Sequence, residues 1–153
     1  MTILNIVKYP NELLHQKSEP VKVFDKRLKK LVADMFETMY KNDGIGLAAV
    51  QVGVLQDVIV IDVNHEDIVF KSEIINPKII SFSSERSTMA EGCLSVAGRQ
   101  CNVVRPTEVE VEYYTLDGKK HNIEAKGLLA KCFQHEIDHT NGITIVDREK
   151  EQM

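Results

Sequence analysis

The segment Gln134-His135-Glu136-Ile137-Asp138-His139 constrains this chain more than any other, because it sets two imidazoles and a carboxylate into a run of helix-forming, apolar sequence. A helix advances ~100° per residue, so residues four apart share a face and both imidazoles can reach one cation. Leu128, Cys132, His135, Glu136 and His139 fall within an arc of ~100°. Leu129, Phe133 and Ile137 continue the buried face beside it, while Lys131, Gln134 and Asp138 point elsewhere. Two histidines in an otherwise apolar face are costly unless hydrogen-bonded or ligating something. Glu136 is rotated from His135 by ~100°, which sets it beside a bound cation rather than on it. A carboxylate there can take a proton from an activated water and return it to a leaving group. The alternative is a pair of core histidines with ordinary hydrogen bonds. H-E-x-x-H arises by chance on the order of once per few hundred chains of this length, so the motif alone does not decide.

A catalytic site of this kind needs three protein ligands and an open position. Downstream, Asp147, Glu149 and Glu151 lie in what reads as a short charged tail. Upstream, Glu91-Gly92-Cys93-Leu94-Ser95 offers a thiol in a glycine-containing turn. Cys93 alone would read as a small buried apolar residue. Cys101 and Cys132 are rival ligands. Cys132 shares the helix face and would line a pocket, but would crowd a two-histidine site. Gly44-Ile45-Gly46-Leu47-Ala48-Ala49-Val50-Gln51 is a third feature. Its glycines suit a tight turn or a close backbone approach, and the turn is the plainer reading. It lacks the third glycine and strand-then-helix order of a dinucleotide fingerprint. Gln51 is a neutral amide able to donate to a developing oxyanion.

The remaining pattern places these segments. Asn11 to Ser18 reads as a short helix. Asp25 caps a longer one carrying Leu28, Leu31, Val32, Met35, Phe36, Met39 and Tyr40, ended by Asn42-Asp43-Gly44. Val58 to Val63 is an apolar strand, and Glu73 to Phe82 a strand broken near Pro77. Val109, Val111 and Tyr113 alternate with acidic residues, and Asp117-Gly118 turns into Lys119 to Glu124. The metal-bearing helix is expected over Ala125 to His139, stopped by Asn141-Gly142. Strands and helices do not alternate regularly, so the class is α+β with mostly antiparallel pairing. The 153 residues suit a single domain.

A net charge of -4 argues against nucleic acid as a main partner. Lys22, Lys26, Arg27, Lys29 and Lys30 cluster, but they interleave with the apolar stripe of a helix and read as its solvated face. Three cysteines and an N-terminus without signal or transit character point to the reducing cytoplasm. No apolar run approaches the ~20 residues that span a bilayer.

Together the three segments resemble the peptide deformylase family. Gly44–Gln51 matches G-φ-G-φ-A-A-x-Q, Glu91–Ser95 matches E-G-C-φ-S, and Gln134–His139 matches Q-H-E-φ-D-H, in that order. The resemblance runs from Val7-Lys8-Tyr9-Pro10 to about Asp147. It implies antiparallel sheets packed around a central metal-bearing helix. It implies that Cys93, His135 and His139 hold one divalent metal ion, usually Fe(II), with Zn(II), Ni(II) or Co(II) able to substitute. It implies Glu136 as acid–base, with the Gln51 side-chain amide and the Leu94 backbone N–H supporting the oxyanion. Ile45, Gly46, Leu128 and Cys132 would line the pocket for methionine. The implied substrate is the formylmethionine end of a nascent polypeptide, met at the ribosome. The chain departs from the family pattern at Val96-Ala97-Gly98, where proline is common, at Thr140, where an apolar residue is usual, and in stopping soon after Asp147-Arg148. Other readings are a relative acting on another N-formyl or N-acyl group, and a metal-binding module without turnover. The second has no use for Glu136.

Overall fold

A computed structural model describes residues 2–152. Its frame is a five-stranded antiparallel sheet in the order β1-β2-β3-β6-β7, formed by β1 (Gly46–Ala48), β2 (Val58–His65), β3 (Ile68–Phe82), β6 (Glu108–Tyr114) and β7 (Lys120–Lys126). β4 (Arg86–Cys93) and β5 (Val96–Pro106) form a separate antiparallel ribbon. Three helices complete the fold: α1 (Lys26–Lys41), α2 (Gly127–Thr140) and α3 (Ile145–Glu151).

β2 explains why the sheet has helices on both faces. Ile59, Ile61 and Val63 join Phe133, Leu129 and Ile137 of α2 in one core. Val58 and Val60 join Leu28, Val32, Met35 and Met39 of α1 in another. A strand stretch covered on both sides needs apolar residues at successive positions, hence the run Val58–Ile61, which ends at the half-buried Asp62. β6 shows the opposite case: Val109, Val111 and Tyr113 are buried and the residues between them are not, because its other face carries no helix core. β7 pairs with it from Glu108↔Lys126 to Tyr114↔Lys120.

Several expectations shift. α1 is as read, with the Asp25 carboxylate accepting from the Leu28 N–H at 3.1 Å. The Asn11–Ser18 helix shrinks to one 3-10 turn, Glu12–His15. The strand through Pro77 begins earlier, at Ile68, and continues through the proline by way of a bulge between Ile75 and Lys78. Asn76 takes a positive φ there, and its amide brackets the Val21 backbone with bonds of 2.8 and 2.9 Å. Proline is tolerated because a bulged position needs no ladder donor. α2 starts at Gly127 rather than Ala125; the strand runs on through Lys126, and Gly127 at φ 57 makes the junction. The charged tail is the helix α3, opened by Thr144 and Asp147, each accepting from the other's backbone N–H.

The β4–β5 ribbon and α3 were not anticipated as elements. Cys101 and Val103 of β5 meet Ile145 and Val146 of α3 in a small third core. Most of β4 is exposed on both faces, so it carries no alternation to read. Residues 97–100 bulge opposite Gly92, since Glu91 pairs with Cys101 but Cys93 with Val96. Gly98 at φ 69 lies in that bulge, where the sequence lacks the usual proline. Thr140 is absorbed at the end of α2 by donating to the Ile137 carbonyl at 2.6 Å.

Gly142 ends α2 at φ 75, and an added Cβ would lie 2.6 Å from the His15 carbonyl oxygen. Gly142→Ala combines backbone strain with a backbone clash. It is expected to cost on the order of 1–3 kcal/mol, read as a lower urea midpoint with an unchanged slope.

Candidate metal centre

α2 carries the centre because it is buried almost all round: every residue from Leu129 to Thr140 except Lys131 is buried. One side packs on the sheet. The other faces the β4–β5 ribbon and the loop into β1, and across that gap Cys93, His135 and His139 converge. Their ligand atoms all lie within 4.8 Å of one another. Cys93 Sγ is 3.4 Å from His139 Nε2. Bonds of ~2.0–2.3 Å to a shared tetrahedral centre put donor atoms ~3.3–3.8 Å apart, so the cluster fits a cation with little adjustment. Cys101 is fully buried in the third core, and the cluster does not include it or Cys132. Burial pushes the Cys132 thiol up to about 12, aided by the nearby Glu136 charge, so it stays an uncharged wall group.

The protonation pattern of the imidazoles follows from their neighbours. His135 Nδ1–H donates to Glu91 Oε1 at 3.0 Å, which makes Nε2 the nitrogen that faces the cluster and could exchange its proton for a cation. Burial works against a charge on His135, but Glu136, Cys93 and Glu91 around it raise its proton affinity well above the ordinary histidine value. His139 goes the other way: burial, then the charges of His135 and Arg105, hold it well below. That favours its neutral form, the one able to bind a cation. Its Nδ1 has no partner, nor does Glu136 Oε1. Glu136 Oε2 lies 3.9 Å from His135 Nε2, beside the cluster and outside it. Burial raises Glu136 to about 7, with His135 pulling it back.

Gln51 follows β1 in a short 3-10 turn. Its Oε1 accepts from the Ala48 N–H at 2.9 Å, so the amide cannot flip. The NH₂ group then donates to Ser95 Oγ at 3.0 Å and reaches Cys93 Sγ at 3.5 Å. Leu94 and Ser95 form the two-residue turn between Cys93 and Val96. The glycines in the first motif mark close approaches rather than a tight turn. Neither has a positive φ. A Cβ on Gly46 would sit 2.6 Å from Glu136 Oε2, and one on Gly44 2.8 Å from Leu94 Cδ1.

A cavity of about 420 Å³ opens over the cluster, walled by Ile45, Gly46, Gln51, Leu94, Cys132 and Glu136 among others. Leu128 is absent from that wall; it is half-buried against the main core. Lys131, expected to point elsewhere, does line the cavity. Two residues without a role assigned from sequence, Glu91 and Arg105, complete the site. Glu91 is buried and takes Arg105 in a two-pronged ion pair, Nε to Oε2 at 2.7 Å and Nη2 to Oε1 at 3.0 Å. Burial alone would raise the Glu91 carboxyl, but His135 and Arg105 hold it below its usual value. Its position two before Cys93 was a usable signal. Arg105 had one as well: it follows Cys101 and Val103 at inward positions of β5.

Comparison with known proteins gives a consistent result. The profile of the polypeptide deformylase family matches residues 3–153. The chain is 49% identical over 151 residues to the peptide deformylase of Neisseria meningitidis serogroup C, covering 97% of this chain and 87% of that one. It superposes with a TM-score of 0.93 on the peptide deformylase of Ehrlichia chaffeensis in complex with actinonin, at 44% identity over 97% of this chain and 89% of that one. On the Met-Ala-Ser-bound class I type b peptide deformylase of Acinetobacter baumannii the TM-score is 0.92, at 33% identity over 96% and 98%.

Cys93→Ala removes one of three candidate ligand atoms and is expected to leave the purified protein with far less than stoichiometric metal by elemental analysis. Full occupancy would take Cys93 out of the ligand set.

Proposed function

The chain belongs to the polypeptide deformylase family and hydrolyses the N-formyl group from N-terminal formylmethionine of polypeptides, releasing formate, and we propose how its own residues do so. Residues 1–153 act as one catalytic domain in this reading. The observation that carries it is the convergence of Cys93, His135 and His139 beside the buried, half-unpartnered carboxylate of Glu136.

The family is metal-dependent, and Cys93 with the Nε2 atoms of His135 and His139 would hold the ion. When bound, the ion supplies Lewis acidity to a water molecule and to the formyl oxygen. Fe(II) is the proposed physiological ion; a Cys/His₂ set takes Zn(II) more tightly by the usual affinity order, so Zn(II), Ni(II) or Co(II) can stand in. Glu136 is the acid–base. Its Oε1 lacks a partner in a dry site, so it is ready to accept a proton and return it to the departing amine nitrogen. The Gln51 NH₂ group, locked by Ala48, and the backbone N–H of Leu94 are two neutral donors for charge gathering on the formyl oxygen. A formyl carbon carries only hydrogen besides the amide, so the site needs no room for a larger acyl group.

Peptide binding follows from β1. The Ile45 carbonyl accepts from the Asp62 N–H at 2.9 Å and Gly46 pairs with Ile61. In an antiparallel ladder alternate residues turn their amides to opposite sides, so the Gly46 N–H and C=O face the open edge of the sheet. An extended peptide can add there as a strand, with its methionine thioether in the cavity beside Ile45, Gly46 and Cys132. Among the described residues no helix is long and apolar enough to cross a membrane. Cytoplasmic action on nascent chains at the ribosome is the setting we propose for such a substrate.

The deciding assay is formate release from a formyl-Met-Ala-Ser peptide by Fe(II)- or Ni(II)-loaded protein prepared without oxygen. No formate from a metal-replete sample would sink the reading. Glu136→Gln is expected to keep its metal and lose turnover by ~10²–10⁴-fold; wild-type rates in that variant would reassign the acid–base.

A further inference from the structure

α3 contributes nothing to the cavity wall, yet one of its side chains ends a continuous chain of charged hydrogen bonds that begins at His135. His135 Nδ1 donates to Glu91 Oε1 at 3.0 Å. Arg105 grips both Glu91 oxygens, and its Nη1 donates to Asp138 Oδ2 at 2.8 Å. Arg148 closes the chain, with Nη2 on Asp138 Oδ1 at 2.7 Å and Nε on Oδ2 at 3.0 Å. Glu91, Arg105 and Asp138 are buried; only Arg148, with a third of its side chain exposed, reaches water.

We propose that Arg148 is a positioning residue for the metal ligand His135, acting through Asp138, Arg105 and Glu91. This rests on the reading of His135 as a ligand. Both Asp138 oxygens are engaged by the Arg148 fork, and planar two-point contact fixes the carboxylate plane as a single bond would not. Arg105 divides its guanidinium between Asp138 and Glu91. If Asp138 can turn, Arg105 has two arrangements, and Glu91 moves with it. The His135 ring is oriented by Glu91, so its Nε2 then spends less time aimed at the ion. The effect is on retention of the cation more than on any step of the reaction.

The test is transfer of zinc from the loaded full-length protein to a colour-forming chelator. Arg148→Met is expected to release zinc about ten-fold faster, the low end of the range for groups bonded directly behind a ligand. Arg148→Lys keeps the charge but not the fork and should fall between; it also stands in if Arg148→Met does not fold. Glu149→Gln is the control. It weakens another tie of α3, the 3.1 Å ion pair with Arg99, without touching Asp138. It should lower the melting temperature and leave zinc release at the wild-type rate. Equal release from wild type and both Arg148 variants overturns the inference, and so does release from Glu149→Gln as fast as from Arg148→Met. A wild-type chain that binds no zinc overturns the metal-site reading, and the inference falls with it.

Discussion

Glu91 accepts from His135 and Arg105 at a point where almost no water reaches it, and the site depends on that junction. An isolated carboxylate there would be neutral, because burial favours the uncharged acid. Arg105 keeps it charged, and a charged Glu91 can only accept. That forces the proton of His135 onto Nδ1 and frees Nε2 for a cation. The same guanidinium neutralises Asp138. Taking one partner from such a buried set leaves an uncompensated charge and costs about 3–5 kcal/mol, so the group stands or falls as one.

The arrangement needs a helix buried on both sides. The sheet face of α2 is ordinary packing: Phe133 at the centre, with Leu129 and Ile137 against β2 and β6. The opposite face is polar and equally dry, and it can be dry only because β5 supplies Arg105 at an inward position where a strand would normally carry an apolar residue. The β4–β5 ribbon thus delivers Cys93, Glu91 and Arg105 together. A register irregularity beside Gly92 sets Cys93 apart from the regular ladder. The ribbon in turn leans on α3, whose Glu149 and Gln152 side chains accept from the backbone N–H groups of Asn102 and Val104 at 2.9 and 2.8 Å.

What could be read in the sequence follows from what each element touches. α1, β2, β6 and α2 have one clear apolar face or two, and periodicity found them all. β4 touches little on either face and left no pattern, and α3 is too short and too charged to show one. The candidate ligands were legible for a different reason. His135 and His139 are near neighbours on one helix, whereas Cys93 is 42 residues upstream of His135 by sequence number, and only the family resemblance joined it to them. Glu91 and Arg105 are harder to read because their role is mutual: position hints that each is buried, but neither shows what it binds until its partner is known. Lys131 was misplaced since helix angle alone does not say how far a cavity extends around the helix.

The Gly44–Gln51 motif shows why three separated segments must occur together. Gly46 is small because the Glu136 carboxylate occupies the space of a Cβ, and Gly44 is small because Leu94 does the same one residue pair away. Gln51 is held by Ala48 from its own segment and hands its donors to Cys93 and Ser95 of the second. Each segment is therefore shaped by atoms of the other two. A larger residue at position 46 would displace the Glu136 carboxylate, and a smaller side chain at 94 would release the constraint on position 44. The motifs are one packing unit that the chain order has divided, so a match to all of them carries more physical content than the sum of three separate matches.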